Sequence, residues 1–391
     1  MNFKGQSYQH SFSPLFPLFR IFQLILFRRD TWSKGLDIAF NIPSVQNSRS
    51  AKFSLYSLFL IVLIFIGTSC EKILMEEEPA NDPVTNFEYL WKTADEKYSF
   101  FEYKGIDWNK IYNTYRPKVN NDMSDYELFD VLGNMLSELK DGHVNLTAPF
   151  DVSRYSFKFN APENFNFRLI KDHYIGWDYR ITGSLINTTF ERNGLTVGYI
   201  YYSSFMNPVQ SADIDYVVAA LWHTDGIILD MRNNGGGSVT NIYTIGSRFA
   251  DTERVIYTSS MKTGPAHDEF GEVAEVTMKP EGYYQYLKPV ILLTNRGCFS
   301  ATSFFATAMK AFPHVVQVGD TTGGGLGAPA GFELPNGWAY RFSVSRTLNP
   351  SGENWENGVP PDSLVWMDPL NELDGIDDIM EKAIDIIAAK N

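Results

Sequence analysis

The chain has 391 residues, of which 44% are hydrophobic and 15% aromatic, and its formal net charge is −13. This composition supports a sizeable hydrophobic core, and the acidic balance without a basic block argues against nucleic-acid binding. The two cysteines exclude a framework of several disulfides, and no Cys/His cluster has the spacing of zinc ligands, so we expect neither a metal nor another cofactor.

The first predicted element is an export signal, SLYSLFLIVLIFIGTSCEK (54–72), in which an apolar run ends in small residues before Cys70. A run of roughly fourteen residues is short for a bilayer span but suits a signal sequence. It resembles a bacterial lipoprotein signal, which implies a lipid on Cys70 and a cell-envelope protein at the periplasmic or cell-surface face of the outer membrane. An ordinary signal anchor is the alternative. We assign residues 1–70 to the extension and signal, and 71–82 to an acidic tether.

Residues 83–147 are predicted to form a helical cap domain. Between Leu128 and Leu139, apolar residues recur at three- and four-residue steps, which indicates one face of an amphipathic helix. Ser124 and Glu127 have the spacing of a capping box at its start. The many aromatic residues of this region are interpreted as packing against the next domain.

Residues 148–195 are assigned to a linking β-rich segment, and 196–391 to an α/β core that ends in a helix. In the core, apolar β-type segments alternate with helical segments. The predicted strands are TVGYIYY, GIILDM, VIYTSS, PVILLT, VVQVG and WAYRFSVS. Such alternation predicts crossover connections and a largely parallel sheet, so the fold class is α/β.

A histidine follows a tight Asp-Gly turn in LKDGHVNL (139–146). Of the six histidines, only His143 has a turn that would project it from a domain edge. A histidine is a common general base because its pKa lies near 6.5. A purely structural histidine is the alternative.

Three glycines end a predicted buried strand in GIILDMRNNGGGSV (226–239). Glycine backbone can adopt positive φ and approach a substrate closely, so the N–H groups of 235–237 could form an oxyanion hole. The nucleotide-binding patterns GxGxxG and P-loop are absent. A flexible turn is the alternative.

A serine stands where a predicted strand gives way to a helix in NRGCFSATSFFATAMK (295–310). The free N–H groups and the dipole of a helix start favour an anion there, which suits acyl chemistry at Ser300. The alternative is that Ser300 only caps the helix. The surroundings match neither GxSxG nor SxxK. Cys298 is the alternative nucleophile, although a buried packing role is its default.

Two further loops, GDTTGGGLGAPAG (319–331) and WENGVPPD (355–362), complete a series of motifs. In this order, LKDGH, LDMRNNGGG, SATS and GVPPD resemble the tail-specific, C-terminal-processing serine peptidase family, which includes the tricorn core and interphotoreceptor retinoid-binding repeats. The signal and helical domain are similar to a Bacteroidetes-type lipoprotein branch. The resemblance implies a helical cap beside an α/β sheet core of the ClpP/crotonase-like type. Only about fifty residues separate His143 from the first core strand, too few for a full PDZ domain.

The resemblance also bears on the catalytic base. The processing branch uses a lysine at the position that Gly325 occupies here, so that lysine is missing. Lys310 lies ten residues beyond Ser300 on the same predicted helix, about 15 Å along it, which is too far.

The tricorn branch uses a histidine held by a carboxylate, which implies His143 as base and Glu356 as the group that orients it, directly or through a bridging hydroxyl. That branch has a serine before its histidine, whereas this chain has Gly142. The oxyanion is expected to be bound by the backbone N–H groups of Gly236 and Ala301.

These observations predict a serine endopeptidase of the tail-specific type, acting on exported peptides or unfolded proteins. A catalytically inactive ligand- or peptide-binding lipoprotein of the same fold is the alternative. The sequence does not specify the oligomeric state.

Overall fold

The computed structural model of the protein describes residues 79–155 and 161–390. The predicted signal, Cys70 and most of the acidic tether lie outside the described residues. Within the described ranges, no helix has the length and apolar character that crossing a membrane requires.

The first helices begin where the sequence provides caps. The side chain of Asp82 accepts a hydrogen bond from the Thr85 amide, and Ser124 forms the predicted capping box with Glu127. In the described ranges, the α-helices are α1 (Pro83–Lys97), α2 (Phe101–Lys104), α3 (Trp108–Tyr115), α4 (Asp125–Ser137), α5 (Phe167–Ile170), α6 (Ser211–Ala220), α7 (Thr240–Gly246), α8 (Ala301–Met309), α9 (Pro369–Leu373) and α10 (Asp378–Lys390).

The strands of the described ranges form three sheets. They are β1 (Asn145–Ala148), β2 (Asp151–Val152), β3 (Arg180–Thr182), β4 (Leu185–Arg192), β5 (Leu195–Tyr201), β6 (Gly226–Asp230), β7 (Arg254–Met261), β8 (Ala274–Met278), β9 (Val290–Thr294), β10 (Val315–Gly319), β11 (Pro329–Glu333), β12 (Ala339–Ser343), β13 (Ser345–Leu348) and β14 (Ser363–Leu364).

The central sheet has seven strands in the order β14-β10-β9-β6-β5-β4-β3. Its pairs from β5 to β14 are parallel, and β3 and β4 add an antiparallel hairpin at one edge. Helices α6, α7 and α8 contribute to the hydrophobic core on one face, and α10 contributes to the core on the other. Because both faces are covered, β6 and β9 are buried at every position. The predicted α/β class is confirmed.

Two smaller sheets accompany the central one. The first has the order β11-β12-β1-β2, and the second β13-β7-β8. Strand β1, which starts two residues after His143, pairs antiparallel with β12 through Asn145 and Arg341. This pairing connects the N-terminal helices to a distant part of the chain.

Two predicted boundaries need correction. The helices of 83–147 do not have a core of their own, because their apolar side chains share one cluster with Trp338, Tyr340 and Phe342 on and beside β12. The central sheet starts with the β3–β4 hairpin rather than at residue 196, since β4 pairs along its whole length with β5. The shared cluster joins segments far apart in sequence, which local patterns do not reveal. The β4–β5 pairing is a local hairpin closed at Asn193 and Gly194, and this Asn-Gly pair was the available signal.

Candidate active site

Ser300 lies at the sharp turn between buried strand β9 and helix α8. Its backbone has φ 55° and ψ −121°, a conformation that costs a residue with a Cβ about 1–3 kcal/mol. The Ser300 amide donates to the carbonyl of Gly324 at 2.9 Å, which helps to hold this turn. The side chain makes no capping hydrogen bond, so the structure does not support the alternative that Ser300 only caps the helix.

His143 and Ser300 meet across 157 positions of sequence. The distance from His143 Nε2 to Ser300 Oγ is 3.0 Å. The backbone of His143 is held on both sides, because its amide donates to Asp141 Oδ1 at 2.8 Å and its carbonyl accepts from Arg341 Nε at 3.1 Å.

The surroundings of His143 favour the neutral form of its imidazole. Burial lowers its pKa below the ordinary 6.5, although the nearby Asp141 carboxylate acts in the opposite direction. With a proton on Nδ1, a neutral ring presents the Nε2 lone pair to the serine hydroxyl. This is the arrangement that a general base needs.

Glu356 lies in the same site, but it does not make the contact predicted for it. One carboxylate oxygen, Oε2, accepts from the amides of Leu326 at 2.6 Å and Gly327 at 2.9 Å. Nδ1 of His143 is buried and has no hydrogen-bond partner among the described residues. The expectation that Glu356 orients the imidazole by a direct hydrogen bond is therefore corrected. The backbone contacts of His143 fix its place instead.

Glu356 and Asp141 line a cavity of about 300 Å³ beside the histidine, together with Lys104. Burial raises the pKa of Glu356 to about 8, and the Asp141 carboxylate adds to this effect. Lys104 Nζ lies 3.9 Å from Glu356 and 4.0 Å from Asp141. The site thus contains a buried cluster of three ionisable groups.

The glycine turn packs directly against the serine. Gly236 has φ 93°, and a Cβ at this position would lie 2.9 Å from the Cβ of Ser300 and 3.0 Å from the Ala301 nitrogen. Only glycine fits so close to another backbone. The amide of Gly236, however, donates to Asn234 Oδ1 at 3.0 Å. The expectation that this amide is free for an oxyanion is therefore corrected. Ala301, the first residue of α8, has an N–H that precedes the helical hydrogen bonds.

Asn234 is a residue of the site that the sequence analysis missed. Besides the Gly236 amide, its Oδ1 accepts from the Phe205 amide at 3.2 Å and from Thr302 Oγ1 at 2.9 Å. Its Nδ2 donates to the carbonyl of Tyr202 at 2.9 Å. The buried amide thus joins the glycine turn to the start of α8. Its place beside the glycine run was the available signal, but its partners come from distant segments.

The structure also explains why Gly325 carries no side chain. Its φ is 78°, and a Cβ there would lie 2.5 Å from the ring of Phe299 and 3.1 Å from Cε1 of His143. The rings of Phe299 and His143 pack with their centroids 4.7 Å apart. The two rings therefore occupy the space that a side chain at position 325 would need.

The other candidates for nucleophile or base lie outside this arrangement. Cys298 is buried, its thiol donates to the carbonyl of Met231, and burial raises its pKa to about 12, so it is not a thiolate at neutral pH. Lys310 pairs with Asp362 beyond the end of α8. Across 79–155 and 161–390, no group of three or more His, Cys, Asp or Glu side chains could hold a metal ion.

Comparison with known proteins identifies the family of this chain. The model of peptidase family S41 matches residues 196–365, and the model of the tricorn protease C1 domain matches residues 79–137. A crystal structure of a candidate peptidase from Parabacteroides merdae is 39% identical and has a TM-score of 0.76. The match covers 80% of this chain and 98% of that chain. The chain belongs to peptidase family S41.

More distant S41 comparisons share less with this chain. Mature CPAF has the same fold, with a TM-score of 0.59 at 12% identity over 78% of this chain and 96% of that one. The carboxy-terminal processing protease CtpA of Bacillus subtilis is 29% identical over 138 residues, which are 35% of this chain and 28% of CtpA. The match spans less than half the length of such curated relatives. The matched family is one of serine peptidases.

Proposed function

We propose that this S41 protein is a serine endopeptidase with Ser300 as nucleophile and His143 as general base. The observation that carries the proposal is the 3.0 Å distance between His143 Nε2 and Ser300 Oγ, at a strained turn next to a glycine run. That distance lies within the range for proton transfer between base and nucleophile.

The proposed reaction follows from these positions. Ser300 Oγ attacks the scissile carbonyl carbon while its proton passes to His143 Nε2. The resulting oxyanion accepts a hydrogen bond from the Ala301 amide. When the bond to nitrogen breaks, the imidazolium protonates the leaving amine, and a water molecule then hydrolyses the acyl-enzyme by the same steps.

Asp141 supports the charged intermediate electrostatically. Its carboxylate raises the pKa of His143, in opposition to burial, and therefore favours the imidazolium that forms during attack. Its Oδ1 also accepts the His143 amide. We assign to Asp141 part of the role that the sequence analysis gave to Glu356.

The test is labelling of the purified full-length chain with a fluorophosphonate probe. We expect the wild type to be labelled and Ser300→Ala and His143→Ala to lose labelling. His223→Ala, an exposed histidine outside the site, is the matched control and should label normally. A folded wild type that fails to label would exclude the peptidase and favour a binding protein of the same fold.

We further propose that the substrates are exported proteins or peptides with accessible tails, and that Cys70 carries a lipid anchor in the cell envelope. The signal-like segment before Cys70 supports this location. Incorporation of a labelled fatty acid should disappear in Cys70→Ala. Cleavage of matched peptides with free and amidated C-termini would test whether the tail is recognised, and equal rates would contradict tail specificity.

A further inference from the structure

Lys104 is a buried cation beside the proposed base. It is the last residue of α2, and its side chain is only 6% exposed. The chain turns away immediately after it, at Gly105 with φ 62°. A buried lysine needs partners for its charge, so its contacts are informative.

The ammonium group of Lys104 contacts the turn that carries His143. Nζ donates to the carbonyl of Lys140 at 3.0 Å and to that of Leu139 at 3.4 Å. These carbonyls belong to the residues just before Asp141, whose Oδ1 accepts the His143 amide. The lysine thus holds the backbone from which the imidazole projects.

The same ammonium group lies between two buried carboxylates. It is 4.0 Å from Asp141 Oδ2 and 3.9 Å from Glu356 Oε1, and these carboxylates are 0% and 2% exposed. Among the ion pairs of the described residues, those of Asp141 and Glu356 are both made with Lys104. Without it, the carboxyl groups of Asp141 and Glu356 would share a region of low dielectric with no cation between them, which disfavours their ionisation.

We infer that Lys104 is a positioning residue for His143, through the carbonyls of its turn and through the charge between Asp141 and Glu356. This inference rests on the proposed function, in which His143 is the base. It gives the helical region a direct part in the reaction, because α2 supplies the cation and the 139–143 turn supplies the base.

Several charged groups face this histidine, and Lys104 is one contribution among them. Asp141 comes from its own turn, Lys104 from α2, Arg341 from β12, and Glu356 from the loop after β13. Lys140 and Arg296 line the same cavity. Lys104 and Arg341 act to lower the pKa of His143 whereas Asp141 acts to raise it. Removal of the Lys104 charge should therefore raise the pKa of the base.

The experiment measures the rate of fluorophosphonate labelling of the full-length chain from about pH 4.5 to 8.5. Lys104→Met should label about 10- to 100-fold more slowly at neutral pH, because a displacement of the base by about 1 Å can cost that much. The acid limb of the pH profile, where the labelling rate falls because the base becomes protonated, should move to higher pH. Lys104→Arg, which retains the charge, should keep the wild-type acid limb. Lys110→Met, at an exposed position of α3, should match the wild type.

A merely structural lysine gives a different result. If Lys104→Met stays folded and labels with the wild-type rate and acid limb, the inference is wrong. It is also wrong if the labelling rate falls only in proportion to the fraction of folded protein, and the pH at which labelling declines on the acid side stays the same. If this variant does not fold, Lys104→Met combined with Glu356→Gln removes one carboxylate as well, and its acid limb should still move upward. Failure of the wild type to label would instead reject the proposed function.

Discussion

The serine side of the site is held by uncharged hydrogen bonds, whereas the histidine side is held by charged groups, of which Asp141 and Lys104 are buried. Around Ser300, the contacts are backbone groups and the amide of Asn234, which joins the glycine turn to α8. Around His143, they include Asp141, Arg341 and, through the turn, Lys104. The two residues also lie beside different hydrophobic clusters: Val144, next to His143, belongs to the cluster that the helices share with β12, and Ala301, next to Ser300, belongs to a cluster of the central sheet.

This difference has consequences for how each side responds to change. Neutral hydrogen bonds are insensitive to pH, so the nucleophile's position should vary little with it. Buried charges depend on protonation, so the base's surroundings should change with pH. Substitutions on the serine side should therefore disturb the position of the nucleophile at every pH. Substitutions on the histidine side should change the dependence of the labelling rate on pH.

The largest effect is expected for Asn234→Ala on the serine side. The substitution leaves the amides of Phe205 and Gly236 and the hydroxyl of Thr302 without their common acceptor. We expect a loss of about 2–4 kcal/mol in the free energy of unfolding and about a hundredfold slower labelling. Urea denaturation and fluorophosphonate labelling measure the two quantities.

The control for this prediction is Asn109→Ala, since Asn109 is exposed on α3 and should tolerate the change. Near wild-type stability of Asn234→Ala would show that these hydrogen bonds do not hold the glycine turn. A rate that fell at low pH alone would place the effect on the histidine side instead.

A smaller effect is expected for Gly325→Ala, where both sides meet. The new Cβ would press on the rings of Phe299 and His143, and the residue has positive φ. We expect labelling to slow about tenfold or more and the free energy of unfolding to fall by about 1–3 kcal/mol. Gly352→Ala is the control, because Gly352 has a similar φ of 86° but an added Cβ there would meet open space. This variant should lose stability through backbone strain and keep the wild-type labelling rate. Equal labelling of both variants would contradict the proposed contact.

The last prediction concerns the pH dependence of stability at Glu356. Its pKa in the folded protein, about 8, lies above the ordinary 4.5, so the folded state binds the proton more tightly. The stabilising contribution of the protonated carboxyl is fully present below pH 4.5 and is lost as the pH rises to about 8. Glu356→Gln should therefore become more stable relative to wild type over this window, by an amount on the order of 1–4 kcal/mol.

Thermal unfolding of Glu356→Gln and the wild type at several pH values measures this difference. The titration of His143 changes the stability with pH in the opposite direction, because its pKa is lowered in the folded protein. This contribution is present in both proteins and largely cancels in their difference. Glu353→Gln, at an exposed position of the same loop, is a control that should show no such trend. A difference that stayed constant with pH would mean that Glu356 is ionised throughout.

The regular elements were predictable because their signals are local. The buried strands β6 and β9 appeared as continuous apolar runs, and the capping box at Ser124 marked the start of α4. The shared core of the helical region and β12 was not predictable, because it joins segments about two hundred residues apart in sequence.

The candidate site divides in the same way. The sequence motifs and the family resemblance proposed Ser300 and His143, and the structure brings these two side chains together. The role assigned to the Gly236 amide and the direct contact expected of Glu356 needed correction, because hydrogen-bond partners depend on distances that motifs do not contain. Lys104 had no local signal at all.

The sequence by itself determined which residue types were available: a serine at a strand-to-helix turn, a histidine after an Asp-Gly turn, and glycines that allow close approach. It also determined that position 325 holds no lysine. Only the tertiary structure decided that the serine and histidine lie 3.0 Å apart and that a lysine from α2 stands between two carboxylates beside them. The physical reason is that backbone conformation is governed mainly by neighbours in the chain, whereas burial, charge pairing and pKa are governed by neighbours in space.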